Sequence, residues 1–524
     1  MESRRKRNLE LYSIALFSPS LQSINDFRSQ LRDRIDYIVI CHSEDDVKQY
    51  VHQNPDDSIV LIVSIEFAET LITQIHDLKQ LHQIYVYHST NAISQWTRSF
   101  RKMRLVKNAE DLLTALDANV KTKEKNGESF LKFFRLTTEI WYPTFIHLLL
   151  KLNRKNNDRQ PFIDYLKGYY ANNSTTLRDV FQFEREYSST NAIQWYAKGS
   201  FVYSLLNKAF RSCDYEVLIL FRFFIADLYD QLSSLHQNQT IPTDMIYYRG
   251  QCIRKEEIES LVKEQLICCT SFFSTTRNEK LASEFFTGAS VVSRSPHDDP
   301  SVLFIIRSSS FHYKRLIFAD ISSLSEFSEQ EVLFAVGSYF QIGGKWFEPS
   351  NNLWTVELEE MYNKLNEAAL NQPFYIDLIT IGFYLMVKDD DFRSVETFYQ
   401  TLLKQDNSPL WILSCHVGLG LIECFKENYT IALEELWKAI EIIRVEEHCP
   451  ILGNIYCILA NVYREMTDDD MALTFYIEAK QHNSMKYFFE KTNYCFWEMF
   501  LYDDKFNSFV RNDFFFHYCD INLI

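Results

Sequence analysis

The sequence predicts a multidomain protein with an α/β doubly wound N-terminal unit, a central α+β domain and an all-α C-terminal solenoid. A chain of 524 residues is longer than one hydrophobic core usually spans. Apolar runs alternate with amphipathic stretches near the N-terminus, strand patterns dominate the middle, and helical patterns with recurring small residues follow. We therefore divide the chain into residues 1–120, 128–362 and 370–524.

Composition and charge narrow the possible functions. Hydrophobic residues make up 46% of the chain, and only 12 Gly and 11 Pro are present, so we expect it to fold almost throughout. A net charge of -16 argues against nucleic acid as the main partner. The basic cluster Arg4–Arg7 is interpreted as a solvated tail.

No segment of the chain has the pattern of a membrane anchor or a secretory signal. No apolar run follows Met1, and the apolar stretch 58–65 is less than half a membrane span. Eleven cysteines without a CxxC pair fit reduced thiols in a cytoplasmic protein. The adjacent Cys268 and Cys269 point to opposite faces of an extended run, so we expect no metal site there.

The N-terminal unit is predicted from four strand-like runs separated by helical patterns. The runs are "YSIALF", "DYIVICH", "SIVLIVS" and "QIYVYHS". This alternation is typical of a parallel, flavodoxin-type sheet with crossover helices, and no glycine-rich phosphate-binding pattern accompanies it. Ser43 and Ser89 are interpreted as helix caps, and the charged stretch 121–128 as a linker.

The central region is predicted to begin with helices and continue with strands. Residues 129–236 have mainly helical patterns, starting with "SFLKFFRLTTEIWYPTFIHLLLKL". Strand patterns follow in "IYYRGQ" and "SVLFIIRS", with one helix after a Ser/Thr cluster. We expect one long strand from Glu331 into "SYFQI".

Two glutamates stand one residue apart at the start of that strand. If Glu331 opens it, the alternation of side chains sends Glu329 and Glu331 to the same face. Two carboxylates close together on one face raise each other's pKa and repel. The pair lowers the stability of the fold unless a cation, water or substrate lies between them. A solvated strand end is the plain alternative.

The central motifs together resemble the mono-ADP-ribosyltransferases of the Arg-Ser-Glu class. The resemblance rests on "YYRG" at 247–250, "FFSTT" at 272–276 and "FSEQE" at 327–331, in that order. "EVLF" continues the last strand, and "WYAKGSF" and "LNKAFR" stand upstream where the family has similar helices. It covers roughly residues 130 to 360.

The resemblance implies that NAD is the substrate and that no metal takes part. Glu331 would stabilise the positive charge on the ribose as the bond to nicotinamide breaks, and Ser274 would orient that carboxylate. Arg249 would bind the phosphate and ribose side of NAD. The backbone of Gly250 would hold the nicotinamide amide.

Two further residues are assigned to NAD binding on the same basis. Thr275 lies within the Ser/Thr strand, and Phe286 would stack on the nicotinamide, with core packing as the alternative. The third residue of the family's Ser-Thr-Ser motif is Thr276 here, which keeps a hydroxyl.

Glu329 indicates the acceptor within that family. A glutamate two residues before the catalytic one accompanies arginine as acceptor, because a guanidinium needs a carboxylate to orient and deprotonate it. Transfer of ADP-ribose to protein arginine is therefore the predicted function. NAD hydrolysis at the same site and a catalytically silent interaction scaffold are the alternatives.

The C-terminal region has a helical repeat. Ala432 and Ala472 stand 40 residues apart in two aligned segments, with a weaker copy at 382–403. The spacing of small residues resembles a long variant of the tetratricopeptide repeat, and an unrelated helical bundle is the alternative. The resemblance implies a concave surface for a peptide or protein partner.

Overall fold

A computed structural model gives the fold of the chain, which has mixed α and β content, with two sheets in the part that is described. The structure describes residues 8–482 except for 9, 11, 23–26, 33–34, 36, 55–56, 89–99, 101, 127–132, 136–140, 152–158, 199, 240–244, 254, 288–300, 308–315, 326–329, 350–352, 361–377, 380–381, 383–391, 406–408 and 444–451. Two compact units form: residues 1–142 with 154–362, and residues 143–153 with 363–524. Across the described parts, every helix lacks either the length or the apolarity needed to cross a membrane.

The first sheet has five parallel strands in the order β2-β1-β3-β4-β5. Its strands are β1 Tyr12–Phe17, β2 Ile38–Ile40, β3 Ser58–Ser64, β4 Leu81–Tyr87 and β5 Met103–Val106. This order is that of flavodoxin-like doubly wound sheets. Both faces of the sheet are covered, so nearly every side chain of β1 and β3 is buried. Strands in this position are rich in apolar residues such as Val and Ile.

Among the described residues, five helices accompany this sheet. They are α1 Pro19–Gln22, α2 Phe27–Arg32, α3 Glu44–Gln53, α4 Ile65–Ile75 and α5 Ala109–Asn126. Ile14 and Leu16 pack in one buried cluster with residues of α2 and α5, and Ala15 and Phe17 pack in another with residues of α3 and α4. Alternate residues of β1 therefore face opposite helical layers.

Two predictions at helix ends have different outcomes. The cap at Ser43 is confirmed, because its hydroxyl accepts from the Asp46 amide in a capping box at 3.1 Å; Ser89 lies outside the described residues. The linker prediction is wrong for residues 121–126, which continue α5. Lys and Glu favour helix, and the first Gly comes only at 127, so no residue ends the helix earlier.

The region that follows is mainly helical, as predicted, but it starts with a strand. Residues Phe133–Arg135, predicted as helix, form β6 and pair with β8. The helices are α6 Trp141–Lys151, α7 Arg159–Tyr169, α8 Ser174–Glu186, α9 Ala192–Ala197, α10 Phe201–Ser212, α11 Tyr215–Leu220 and α12 Arg222–Asn238, with a 3-10 turn at Ser189–Asn191. Asn173 and Asp214 cap α8 and α11 through their side-chain oxygens.

Two polar contacts join the helical region to the part of the chain around the first sheet. The Lys208 ammonium lies 3.4 Å from an Asp57 carboxylate oxygen and also donates to the Glu10 carbonyl. The Asn173 amide donates to the Arg32 carbonyl at 2.6 Å. Burial lowers the pKa of Lys208, and the Asp57 charge opposes that change.

The second sheet has nine strands in the order β11-β12-β9-β7-β10-β14-β13-β8-β6. After β6 its strands are β7 Ile246–Cys252, β8 Leu266–Cys269, β9 Phe273–Thr276, β10 Ser301–Arg307, β11 Phe318–Asp320, β12 Glu331–Phe334, β13 Tyr339–Glu348 and β14 Leu353–Glu360. Neighbours are antiparallel except for β10 and β14. Helices α13 Lys255–Ser260 and α14 Glu279–Thr287 follow β7 and β9.

The predicted single strand from Glu331 into "SYFQI" is wrong, because a turn divides it into β12 and β13. Gly337 has a φ of 79°, a left-handed conformation that glycine adopts at little cost. The two strands then pair with different neighbours, β12 with β9 and β13 with β8. The strand that begins at Glu331 is therefore short and ends in the core at Phe334.

The second compact unit is helical where it is described. Its helices after residue 363 include α15 Phe392–Gln405, α16 Pro409–Phe425, α17 Tyr429–Ile443, α18 Leu452–Glu465 and α19 Asp469–Gln481. Glu427 and Thr467, at equivalent positions of the two copies, both have left-handed backbones, with φ of 60° and 62°. A Cβ at Gly420 would lie 2.9 Å from a Leu436 side-chain carbon, so this glycine permits close packing of α16 on α17.

Candidate active site

Three neighbouring strands of the second sheet, β12, β9 and β7, bring the candidate motifs together. Glu331 lies opposite Thr276, and Ser274 lies opposite Leu333, in the antiparallel register of β12 and β9. Residues diagonal across such a pair project from the same face. This register places the side chains of Ser274 and Glu331 within reach of each other, although 57 residues separate them in the chain.

The Ser274 hydroxyl donates a hydrogen bond of 2.6 Å to Oε1 of Glu331. Burial raises the pKa of the Glu331 carboxyl, while hydrogen bonds from Ser274 and Ser325 and the charge of Arg249 act to lower it. Both serine hydroxyls and the guanidinium therefore favour the ionised form. Burial nevertheless has the larger effect, so the pKa lies above its ordinary value. When ionised, the carboxylate is anchored in a poorly solvated place, where it interacts strongly with any positive charge beside it.

Arg249 on β7 contacts the adjacent strand through its guanidinium. Nη1 donates to the Ser274 carbonyl at 2.7 Å, and Nε donates to Oε1 of Gln251 at 3.2 Å. The guanidinium carbon also lies 5.6 Å from the centre of the Phe273 ring. Arg249, Ser274 and Glu331 thus form a connected group that includes one residue from each predicted motif.

Three other predicted residues occupy the same strands. Thr275 is buried, and its hydroxyl donates to the Val332 carbonyl at 2.7 Å, so it ties β9 to β12. The Thr276 hydroxyl accepts from the Asn278 amide at 3.1 Å, just before α14 begins. Gly250 is half-buried on β7, next to Arg249.

The two remaining predicted residues are less fully described. Phe286 lies on α14, and its side chain is outside the description. Glu329 lies outside the described residues. The strand begins at Glu331 and Gln330 has a φ of 50°, so strand alternation does not apply across that position.

The structure adds residues that the motifs did not indicate. Tyr196 is buried on α9 with its hydroxyl 3.3 Å from Oδ1 of Asn207, and it is close enough for Arg249 and Glu331 to affect its pKa. Ser325 contacts the Glu331 carboxylate. Gln251 follows Arg249 by two residues on a predicted strand, and that spacing alone indicates a shared face.

A metal site would require several His, Cys, Asp or Glu side chains close together among the described residues. These contain no cluster of three or more His, Cys, Asp and Glu residues arranged to hold a metal ion.

Comparison with known proteins gives weak matches to ADP-ribosyltransferase structures. No family model matches the chain, and no curated protein matches it. The Vis toxin of Vibrio splendidus, an ADP-ribosyltransferase, is similar over 43% of this chain and 93% of its own, with 18% identity and a TM-score of 0.21. The C3 exoenzyme of Clostridium limosum is similar over 38% and 95%, with 15% identity and a TM-score of 0.25.

A third match is exoenzyme S of Pseudomonas aeruginosa, solved in complex with human 14-3-3 protein beta and carba-NAD. It covers 44% of this chain and 96% of its own, with 14% identity and a TM-score of 0.24. Similarities this low do not assign this chain a family or an activity. Function is therefore inferred from the residues of the site.

Proposed function

We propose that the protein is an NAD-dependent mono-ADP-ribosyltransferase that modifies arginine side chains of proteins. The observation that carries the proposal is the hydrogen bond between Ser274 and Glu331, with Arg249 bonded to the Ser274 carbonyl. An ionised carboxylate held by a hydroxyl, with a guanidinium alongside, suits a substrate that has phosphates and develops positive charge at a sugar carbon.

In the proposed reaction the bond between the nicotinamide nitrogen and ribose C1′ breaks first. The electron pair leaves with nicotinamide, which departs neutral, and C1′ becomes cationic as in glycoside cleavage. Glu331 stabilises that charge without forming a bond, and Ser274 keeps the carboxylate oriented. Arg249 binds the phosphate and ribose side of NAD, for which a planar and permanently charged group is suited.

The second half of the proposed reaction joins the acceptor to the sugar. A guanidine nitrogen of the acceptor arginine forms the new bond to C1′ and releases a proton. Glu329 orients the guanidinium and accepts that proton, a role that rests on its position in the motif. We further propose that the helical repeats bind a peptide or protein partner and that the protein acts in the cytoplasm.

Glu329→Gln tests the acceptor assignment. With NAD and agmatine, a free guanidinium compound, transfer should fall by roughly 100-fold because a base and positioning group is lost. Hydrolysis of NAD should persist, since bond cleavage relies on Glu331. Glu326→Gln, in the same segment, is the matched control and should leave both rates unchanged.

The two rates of Glu329→Gln separate the alternatives. Agmatine labelling at the wild-type rate would contradict a role for Glu329 in the acceptor step. Parallel loss of labelling and hydrolysis would mean that Glu329 supports Glu331 rather than the acceptor. A wild-type protein that releases nicotinamide but never labels agmatine would be an NAD hydrolase.

A further inference from the structure

Gln251 is a buried polar residue beside the candidate site. It lies on β7 two residues after Arg249, so both side chains project from the same face of the strand. Only 1% of its surface is exposed. Its Oε1 accepts a hydrogen bond of 3.2 Å from Nε of Arg249.

The bond to Gln251 fixes the plane of the Arg249 guanidinium. With the Nη1 bond to the Ser274 carbonyl alone, the group can still rotate about that contact. A second bond at Nε, on another nitrogen of the rigid fork, removes this freedom. These bonds to described residues use two of the five N–H groups, and the other three have fixed directions.

The sheet geometry explains why Arg249 depends on side-chain support. The backbone pairing of β7 with β9 is confined to Tyr248 and Thr276. Ser274 lies two residues beyond that pair, and its carbonyl is bonded by the Arg249 side chain. The guanidinium therefore bridges the strands where their ladder ends.

The side-chain nitrogen of Gln251 indicates that the oxygen of this residue, and not its packing, is important at the site. Within the described residues, Nε2 of Gln251 is buried without a hydrogen-bond partner. An unsatisfied buried amide costs free energy, which an apolar side chain of similar size would avoid. Packing alone would thus favour an apolar residue, whereas the acceptor oxygen needs an amide or acid.

We propose that Gln251 is a positioning residue that orients Arg249 toward the phosphate and ribose side of NAD. The inference rests on the proposed function, because it assigns Arg249 to NAD. Gln251 contacts Arg249 and acts through it, and it has no direct part in bond cleavage.

Gln251→Met tests the inference, since methionine keeps the length of the side chain and removes the acceptor. The KM for NAD should rise about 10-fold while kcat stays within about 3-fold, because orientation of a binding group is lost. In an Arg249→Lys background, which has no Nε, Gln251→Met should change KM by less than 2-fold. Gln80→Met, which removes a glutamine bond to the Val51 carbonyl beside the first sheet, is the control and should leave KM unchanged.

Equal effects of Gln251→Met in both backgrounds would overturn the inference, because the residue would then act through general packing. An NMR spectrum of protein labelled with ¹⁵N-arginine tests the inference in the absence of NAD. The Arg249 Nε–H signal, identified by its loss in Arg249→Lys, should exchange slowly in the wild type and faster in Gln251→Met. An unchanged signal would overturn the inference, whereas a wild type that does not turn over NAD would overturn only the proposed function.

Discussion

Replacing Glu331 with Gln should remove most of the catalytic activity and leave the fold intact. Two unit charges about 4 Å apart attract by about 4 kcal/mol at an effective dielectric constant of about 20. In the proposed reaction the sugar carries between half a unit and a full unit of positive charge in the transition state. Glu331 would then stabilise that state by about 2–4 kcal/mol, which corresponds to about 30- to 1000-fold in rate. The amide oxygen of Gln can still accept from Ser274, so the comparison isolates the charge.

The stability of Glu331→Gln has a definite sign as well. Burial raises the pKa of Glu331 above its ordinary value, so the folded protein binds more protons than the unfolded chain in the window between the two pKa values. Stability then falls as pH rises through that window, and at pH 7 the charged group costs stability. The Gln variant should therefore unfold at the same or a higher temperature than the wild type at pH 7.

The assay is nicotinamide release from NAD, with thermal unfolding measured on the same samples. Glu357→Gln is the matched control, since Glu357 pairs with Arg307 at 2.9 Å on another strand and should keep wild-type activity. Activity of Glu331→Gln within threefold of the wild type, in a folded protein, would refute the electrostatic role.

Two further predictions follow from the described contacts. Ser274→Ala removes a hydrogen bond that lowers the pKa of Glu331, so the acid limb of kcat/KM for NAD, where activity is lost as pH falls, should move to higher pH; an unmoved limb would assign it to another group. Asp57→Ala should lower the free energy of unfolding by about 2–3 kcal/mol, and Lys208→Met by less, because the first leaves a poorly solvated ammonium without its carboxylate partner. Urea unfolding checks the order, and a larger loss for Lys208→Met would contradict it.

The parts of the fold that the sequence predicted well have strong local signals. The ends of β1 and β3 coincide with the apolar runs "YSIALF" and "SIVLIVS", and Ser43 caps a helix as its position before "EDD" indicates. The closeness of Ser274 and Glu331 was expected from the motifs, and the Ser274 hydroxyl lies 2.6 Å from Oε1 of Glu331. Their catalytic roles stay predictions.

The missed elements depend on contacts that are distant in the chain. Phe133–Arg135 is a strand because it pairs with β8, more than 130 residues later in the chain. The local hydrophobic pattern gives no sign of so distant a partner. Met103–Val106 is too short and too charged to give a strand signal, yet it completes the parallel sheet beside β4.

The hydrogen bonds of Arg249 could not be predicted from the sequence, because they also depend on how strands distant in the chain pack together. The bond from Arg249 to the Ser274 carbonyl requires the ladder of β7 and β9 to end where it does, which follows from the packing of the whole sheet. Strand alternation suggests that Gln251 shares a face with Arg249, but only the three-dimensional structure shows that its Oε1 accepts the hydrogen bond from Arg249.

The most direct test of the central claim is a reaction of the full-length protein with NAD and agmatine, followed by mass spectrometry of the products. Transfer to arginine predicts release of nicotinamide together with an ADP-ribosyl adduct of agmatine, both reduced in Arg249→Ala and Glu331→Gln. Intact NAD after incubation with the folded wild type would contradict an NAD-consuming activity. Free ADP-ribose without any adduct at saturating agmatine would contradict arginine as the acceptor.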